Sequence, residues 1–425
     1  MVEMTSPDKG SYRPDTPDGT GRKRKSIAPQ WVQPSLLLGL ALVLVAITTV
    51  VVALRGPSRR SRSEAQKPVT AMRNSGPTAL PSTGGPLPGT SIVGGRPDRD
   101  EAQAFHAKFV EGLAPRLRTI GFRPELLTRT PGRPDSADRW SVRVPSNFPI
   151  LRVNAEVTFL ARHTGGAVYR AEQDSLDLAL VRLWVGAGNV ITDEVNLRTD
   201  KKRKFKGAIA FVIDDVGYRP VSGTKEFIEL PYALTFAILP HHESGVEVAE
   251  KAIAAGKQVI VHLPMEPNGD GVSLERNTIS ASMTDEEIRR YTTQHIESLP
   301  GVSGVNNHMG SKATEDQRVM RNVLTVLKER GLYFLDSRTS PNTVGERTAQ
   351  EMNVRTGSRT VFLDNERETS KVVQEILRTA AIAARGKNAI AIGHDRTETY
   401  RALIQTLPRL EAEGFRICFL SDLLR

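Results

Sequence analysis

The carboxy-terminal half of this 425-residue chain, residues 207–425, is predicted to be an α/β fold, a distorted (β/α) barrel of seven or eight parallel strands. Three observations predict it. Short runs of apolar, β-branched residues alternate with amphipathic helical patterns over about 220 residues. The runs are apolar throughout, as strands buried on both faces of a parallel sheet must be. A charged or polar residue closes most of them, and in a parallel barrel those strand ends share one face. A doubly wound open sheet is the alternative arrangement of the same units.

The strands are expected at 208–213, 234–239, 258–263, 302–306, 333–335, 360–363, 389–392 and 416–420. Helical periodicity separates them at 245–255, 285–299, 314–330, 370–384 and 398–413. Asp214 and Asp215 follow AIAFVI, His262 follows QVIV, and Asn306, Asn307 and His308 follow VSGV. Asp336, Ser337 and Arg338 follow YFL, Asp364 follows VFL, and His394 follows AIAIG. One such residue is usually a cap or a packed polar group. Six strand ends of this kind each carry a desolvation cost unless paired or metal-bound, so a shared site is the better explanation.

Upstream, Ala104, Phe105, Phe109, Val110, Leu113 and Leu117 recur at helical spacing. Strand-like runs follow at 140–144, 167–170, 176–184 and 190–195, with a short helix over 150–159. Residues 101–200 therefore read as a small α+β domain, a binding or positioning module. His106 and His163 stand isolated there, as surface or core histidines rather than ligands. The run KKRKFK at 201–206 reads as a solvated hinge. In the barrel half, His241 and His242 read as surface residues and His295 as part of a solvated helix face.

Residues 56–100 are rich in Pro, Gly, Ser and Arg and read as a flexible, disordered linker. Residues 35–54 carry no charge, and twenty helical residues span about 30 Å, a bilayer's hydrocarbon thickness. The segment 31–55 is thus expected to be one transmembrane helix, and 1–30 a basic, disordered cytoplasmic tail. Residues 1–100 hold 14 Lys and Arg against 7 Asp and Glu, a net +7 of the chain's +10. Anionic lipid is a sufficient partner for that arm, and no nucleic-acid partner is expected, because the folded part lacks a basic face with aromatic platforms. The single cysteine, Cys418, excludes an intramolecular disulfide and reads as a buried thiol.

The blocks IAFVIDDVGY, LTFAILP, VIVHLPMEP, GVNNHMGS, LYFLDSRTS, VFLDNER and AIAIGHDRTET, in this order, resemble the divergent polysaccharide deacetylase family over about 207–425. The resemblance implies kinship with carbohydrate esterases and chitooligosaccharide deacetylases, a distorted (β/α) barrel and a divalent metal, commonly zinc. In that family the first Asp of a strand-end pair is the general base and the second binds metal, which Asp214 and Asp215 match. His394 resembles the general acid. The family's metal pair is His-x-x-x-His, whereas here His262 is followed four residues on by Glu266, and His308 is the candidate replacement. The family's Arg-Pro block is not evident.

These residues imply a chemistry. A metal held by Asp215, His262 and His308 would leave positions open for water and a carbonyl oxygen. Asp214 would take the water's proton and His394 would give one to the departing nitrogen. Glu266, Asn306, Asn307, Ser311, Asp336, Arg338 and Asp364 are the candidate substrate-binding or supporting residues. Among them, Asp336 would orient a histidine, and Arg338 would pair with Asp364 or meet an anionic substrate group. The expected function is removal of acetyl groups from an N-acetylated or O-acetylated cell-envelope polysaccharide. The expected place is the bacterial inner membrane, single-pass, with the folded domains in the periplasm. The alternative is a weak or inactive relative that binds glycan or a cell-wall enzyme through the same cleft.

Overall fold

The computed structural model describes residues 96–425, apart from 134, 135, 270 and 387. The expected basic tail, the membrane anchor and most of the linker lie outside the described residues. The end of the linker, 96–100, instead opens helix α1 (Arg96–Arg118). Among the described residues no helix is long and apolar enough to cross a membrane.

The small domain is built as its periodicities require. Phe105, Phe109, Leu113 and Leu117, each one helical turn from the last, bury one face of α1. They pack on a sheet of β1 (Leu127–Thr130), β2 (Asp138–Pro145), β3 (Ala167–Gln173), β4 (Leu180–Ala187) and β5 (Val190–Asp200). Trp140, Val142 and Val144 alternate inward along β2. The strand order is β1-β2-β5-β4-β3, and α2 (Ile150–His163) runs four residues past the predicted helix end. Strand β1 has no predicted counterpart. The run 201–206 is not wholly solvated, because Phe205 meets Phe122 and Phe148 edge-on at 6.0 and 5.9 Å.

The second part begins with β6 (Gly207–Val216), α3 (Val221–Glu229), β7 (Leu234–Ile238), α4 (Gly245–Ala254) and β8 (Gln258–Met265). It continues through α5 (Asp285–Glu297), β9 (Gly304–Met309), α6 (Gln317–Glu329), β10 (Tyr333–Asp336) and α7 (Gly345–Glu351). Last come β11 (Thr356–Ser358), β12 (Val361–Phe362), α8 (Thr369–Ala384), β13 (Ala389–His394), α9 (Thr397–Ala412) and β14 (Phe415–Ile417). All nine strands pair in parallel, in the order β11-β10-β9-β8-β7-β6-β13-β12, with β14 beside the start of β6.

Two expectations need correction. The predicted strand at 360–363 is the two-residue β12, and β11 before it has no predicted counterpart, which raises the count to nine. The barrel is also open. β11 and β12 lie at opposite edges of the sheet, yet only the step from Ser358 to Val361 separates them. Three residues reach about 11 Å at most, so the sheet must curl until its edges approach, although no ladder bonds join them. A doubly wound sheet would hold those edges far apart.

Period-two alternation sorts each strand into two faces. On β6, Ile209, Phe211 and Ile213 pack against the helices, while Ala208, Ala210 and Val212 fill the interior. Ile260 of β8, Tyr333 and Leu335 of β10, and Ile390 and Ile392 of β13 share that interior. Asp214, His262 and His394 continue the interior rows at the carboxyl ends. The small domain is fixed at the other end. Arg118 pairs with Glu411 at 2.9 Å, Arg152 with Asp422 at 3.2 Å, and the amide of Lys206 donates to the carbonyl of Gly414. Glu411 and Gly414 precede β14 and Asp422 follows it, and β14 pairs only with the start of β6, so this domain does not face the strand ends that carry the polar residues.

Candidate functional site

The register of the sheet brings the site together. His394 lies opposite Asp214 in the β13–β6 ladder, and His262 lies opposite Asn306 in the β8–β9 ladder. Strict alternation would turn Asp215 away from Asp214. It does not, because the β6–β7 register shifts between Ile213 and Val216, and Asp215 takes a left-handed φ of 59°. A bulge of this kind re-aims one side chain. Both carboxylates therefore face the same cleft. Left-handed φ recurs at His241 after β7, at Met309 closing β9 and at Arg338 after β10, so strained backbone gathers at this rim.

Asp215 is the centre. Its Oδ1 lies 3.3 Å from His262 Nε2 and 3.1 Å from His308 Nδ1, and its Oδ2 lies 3.7 Å from His394 Nε2. Burial would raise its proton affinity, but hydrogen bonds from the His262 and His308 rings hold the carboxyl far below the usual carboxylate range. Asp214 is buried almost completely. Desolvation there outweighs the nearby histidines and pushes its proton affinity up, with Asp215 adding to the effect.

Asn306 ties these groups to the framework. His262 Nδ1–H donates to Asn306 Oδ1 at 2.8 Å, and Asn306 Nδ2 donates to Asp214 Oδ1 at 3.0 Å and to Ser337 Oγ at 3.1 Å. This engages Nδ1 of His262, so Nε2, which faces Asp215 Oδ1, is the ligand atom when the ring is neutral. Burial lowers the proton affinity of His262, but the charges of Asp214 and Asp215 raise it further, to a pKa of about 8. His394 is held by a dyad: its Nδ1 lies 2.8 Å from Asp364 Oδ1, and its amide donates to Asp364 Oδ2 at 2.7 Å. Thr399 Oγ1 also donates to Oδ2, at 2.7 Å. Burial pulls the His394 pKa down, yet the Asp364 hydrogen bond and charge leave it raised overall.

Asp215, His262 and His308 offer one carboxylate oxygen and two imidazole nitrogens within 4.8 Å of one another. Such a donor set suits zinc or a similar divalent ion. The fit is strengthened by two details. Among the described residues, the buried Nε2 of His308 has no hydrogen-bond partner, and Asp215 pairs with histidines and with no Lys or Arg. Excess acceptor atoms around one point are satisfied either by extra protons on the rings or by a cation between them. A cleft of about 750 Å³ opens over them, lined also by Ser337, Arg338, Arg359, Phe362 and residues of α8.

The fold and this site define a deacetylase-fold protein. A family model of the divergent polysaccharide deacetylases matches residues 211–424, and the chain belongs to that family. The protein YibQ of Escherichia coli is 38% identical over 204 residues, which are 48% of this chain and 63% of that protein. A Haemophilus influenzae protein is 32% identical over 217 residues, 51% of this chain and 76% of its own length. A crystal structure from Agrobacterium tumefaciens superposes with a TM-score of 0.50 at 21% identity, covering 53% of this chain and 91% of that one. At that identity the superposition shows the fold alone.

The structure gathers Asp214, Asp215, His262, His308, His394, Asn306 and Asp364, as the sequence predicts. It separates others. Asp336 follows the parity of Phe334 and points toward α7, where Oδ2 accepts from Thr343 Oγ1 at 2.8 Å and from the amide of Glu346 at 3.1 Å. It orients no histidine. Gly345 permits this approach, since a Cβ there would lie 2.8 Å from Asp336 Oδ2. Glu266 is not at the cleft. Its Oε1 pairs with Lys312 at 2.6 Å, while Oε2 accepts from Ser280 Oγ and the Ala281 amide. Ser311 Oγ accepts from the Asn268 amide at 2.7 Å, also away from the cleft lining.

Asn307 borders the cleft, but its amide is spent on the Met309 carbonyl, Thr339 Oγ1 and the Ser337 amide, so it braces a turn. Arg338 borders the cleft and does not pair with Asp364, which is committed to His394. His295, expected on a solvated face, is fully buried, with Nε2 2.9 Å from the Asn277 carbonyl. His106 is not isolated: its Nδ1 lies 2.9 Å from Asp193 Oδ2. His242 meets Glu275 at 2.9 Å beside Tyr218. Sequence reasoning missed Arg359 and Lys371 of the cleft wall, and the one available signal was their place around the strand end of Asp364.

Proposed function

We propose that this protein is a metal-dependent hydrolase that removes acetyl groups from an N-acetylated or O-acetylated polysaccharide of the cell envelope. One observation carries the reading. Two carboxylates and three imidazoles from four strand ends converge in one cleft, with three of them forming a divalent-metal donor set and the other two placed for proton transfer. Asp215, His262 and His308 would hold the metal, with zinc the ion this set suits. When bound, the ion supplies Lewis acidity to the acetyl carbonyl and to a water.

The chain's own groups do the rest. Asp214 Oδ2 takes the water's proton. Its carboxyl is a stronger base than an exposed one because burial raises its proton affinity, and Asn306 holds Oδ1 so that Oδ2 is the working atom. His394 Nε2 delivers a proton to the departing nitrogen or oxygen. Asp364 keeps Nδ1–H engaged and favours the protonated ring, which readies the donor near neutral pH. The apolar segment 35–54 suits a single inner-membrane anchor, with the cleft in the periplasm where such polymers lie.

The test is acetate release from a panel of N- and O-acetylated glycans, together with metal analysis of the purified chain. Stoichiometric divalent metal that is lost in Asp215→Ala, with acetate release lost in Asp214→Asn, is the expected result. Failure to take up any divalent ion under loading would defeat the mechanism. Glycan binding without turnover would select the non-catalytic alternative, in which the same cleft captures glycan or a cell-wall enzyme.

A further inference from the structure

The cleft has two unlike walls. One carries the five groups described above. The other carries Arg338 after β10, Arg359 and Glu366 from the segments flanking β12, and Lys371, Glu375 and Arg378 of α8. Arg378 is paired with Glu375 at 3.1 Å. The other three cations have no carboxylate partner among the described residues, and Glu366, exposed on the same wall, pairs with none of them.

Arg359 is the informative one. It is half-buried, with Nε donating to the Ser337 carbonyl at 2.6 Å and Nη2 to the Arg338 carbonyl at 2.9 Å. Its guanidinium lies 5.1 Å from the Phe362 ring centre. Only neutral groups hydrogen-bond it. Burial and the nearby charge of Arg338 work against its cation, and the carboxylates of Asp214 and Asp336 favour it without forming an ion pair with it. A positioned, partly desolvated guanidinium with like charges beside it gains most from an incoming oxyanion, which can take two parallel hydrogen bonds from the planar fork.

We infer that the cleft accepts an acetylated glycan bearing an oxyanion, a carboxylate or a phosphate, and that Arg338, Arg359 and Lys371 form the subsite for it. The acetyl half of this statement rests on the deacetylase reading; the anion subsite does not. The wall borders the same cleft as Asp214 and His394, which places the anion close to the acetyl group, on the same or a neighbouring sugar.

The experiment measures binding of three probes to the full-length chain by calorimetry, with acetate release followed in parallel. The probes are neutral chitotetraose, a hyaluronan tetrasaccharide carrying carboxylates, and a phosphorylated N-acetylglucosamine. Because hydrogen bonds to charged groups are the stronger kind, one anionic probe should bind about tenfold or more tightly than chitotetraose. Which of the two does so identifies carboxylate or phosphate. The preference should shrink in high salt, weaken in Arg338→Gln/Lys371→Gln and fall to roughly parity when Arg359→Gln is added. All three changes are at exposed or half-buried side chains, and thermal melting checks that the variants fold. Equal or better binding of chitotetraose, no binding of either anionic probe, or a preference untouched by the double variant would overturn the subsite. A preference that persists while no probe releases acetate leaves the subsite standing and defeats the N-deacetylase reading instead.

Discussion

Two polar clusters in this molecule look alike on paper and differ in what they leave undone. Each groups histidine and carboxylate ligand atoms within 4.8 Å: Asp215, His262 and His308 in the cleft, and His106, Asp138 and Asp193 in the small domain. In the small domain every demand is met locally. Asp193 accepts from Trp140 Nε1 at 2.9 Å and from Thr192 Oγ1 at 2.7 Å, and Asp138 accepts from Arg129 Nε at 2.6 Å and from the Gly132 amide at 2.7 Å. An arginine already occupies the place a cation would take. In the cleft, acceptors outnumber donors and His308 Nε2 has no partner. A cluster that closes on itself holds a fold together, whereas a buried group left unsatisfied asks for something from outside.

The largest effect should come from breaking the open cluster. Asp214→Asn is expected to lower kcat for acetate release by about a hundredfold to ten-thousandfold, the usual reach of general-base catalysis. Its melting temperature in chelator should not fall, since burial already makes the Asp214 charge unfavourable in the folded chain. A loss of activity matched by unfolding would remove the assignment. Next is Asp364→Asn, with an expected loss of about tenfold to a hundredfold, as for other residues that orient a site group. Asp364 raises the His394 pKa, and His394 works as the protonated acid. Without that carboxylate the alkaline limb of the kcat profile should move to lower pH, and an unmoved limb would show that Asp364 only packs.

Breaking the closed cluster should cost stability and nothing else. Asp193→Asn disturbs a fully buried acceptor and should lower unfolding free energy by about 1–3 kcal/mol, measured by urea denaturation. Metal content and acetate release per folded molecule should match the parent chain. A drop in bound metal would turn the comparison over and make the small domain a second metal site.

Much of this was legible in the sequence, and the reason is periodicity. Continuous apolar runs ending in Asp, His or Asn located six strand ends and, through them, Asp214, His262, His308, Asn306 and His394. The same alternation could have separated Asp336 and Asn307 from the interior, because they follow the helix-facing residues Phe334 and Val305. Asp215 could not be read that way, since its direction depends on a bulge and a left-handed φ. The short β11, the open edge of the barrel and the Glu266–Lys312 pair depend on tertiary contacts that no local pattern announces. Arg359 and Lys371 sit just outside strands, where surface arginine and lysine are ordinary until the fold folds them over a cleft.

His295 sharpens the comparison at the smallest scale, because it is a third kind of buried histidine, one with no carboxylate near it. Burial pulls its pKa down from the usual value to about 4, against the Asn277 carbonyl that favours the charged ring, and His241 adds to the fall. The unfolded chain therefore takes up this proton first. Its stabilising effect is intact above about pH 6.5 and is lost progressively as pH falls toward 4. At about pH 5.5 the loss should be about 1 kcal/mol relative to neutral pH. His295→Gln keeps a donor for the Asn277 carbonyl and has no titrating group. Urea denaturation of both chains at neutral and mildly acidic pH should thus show their stability difference narrowing on the acid side. A difference that stays constant would mean that His295 remains neutral, or is charged, in both states.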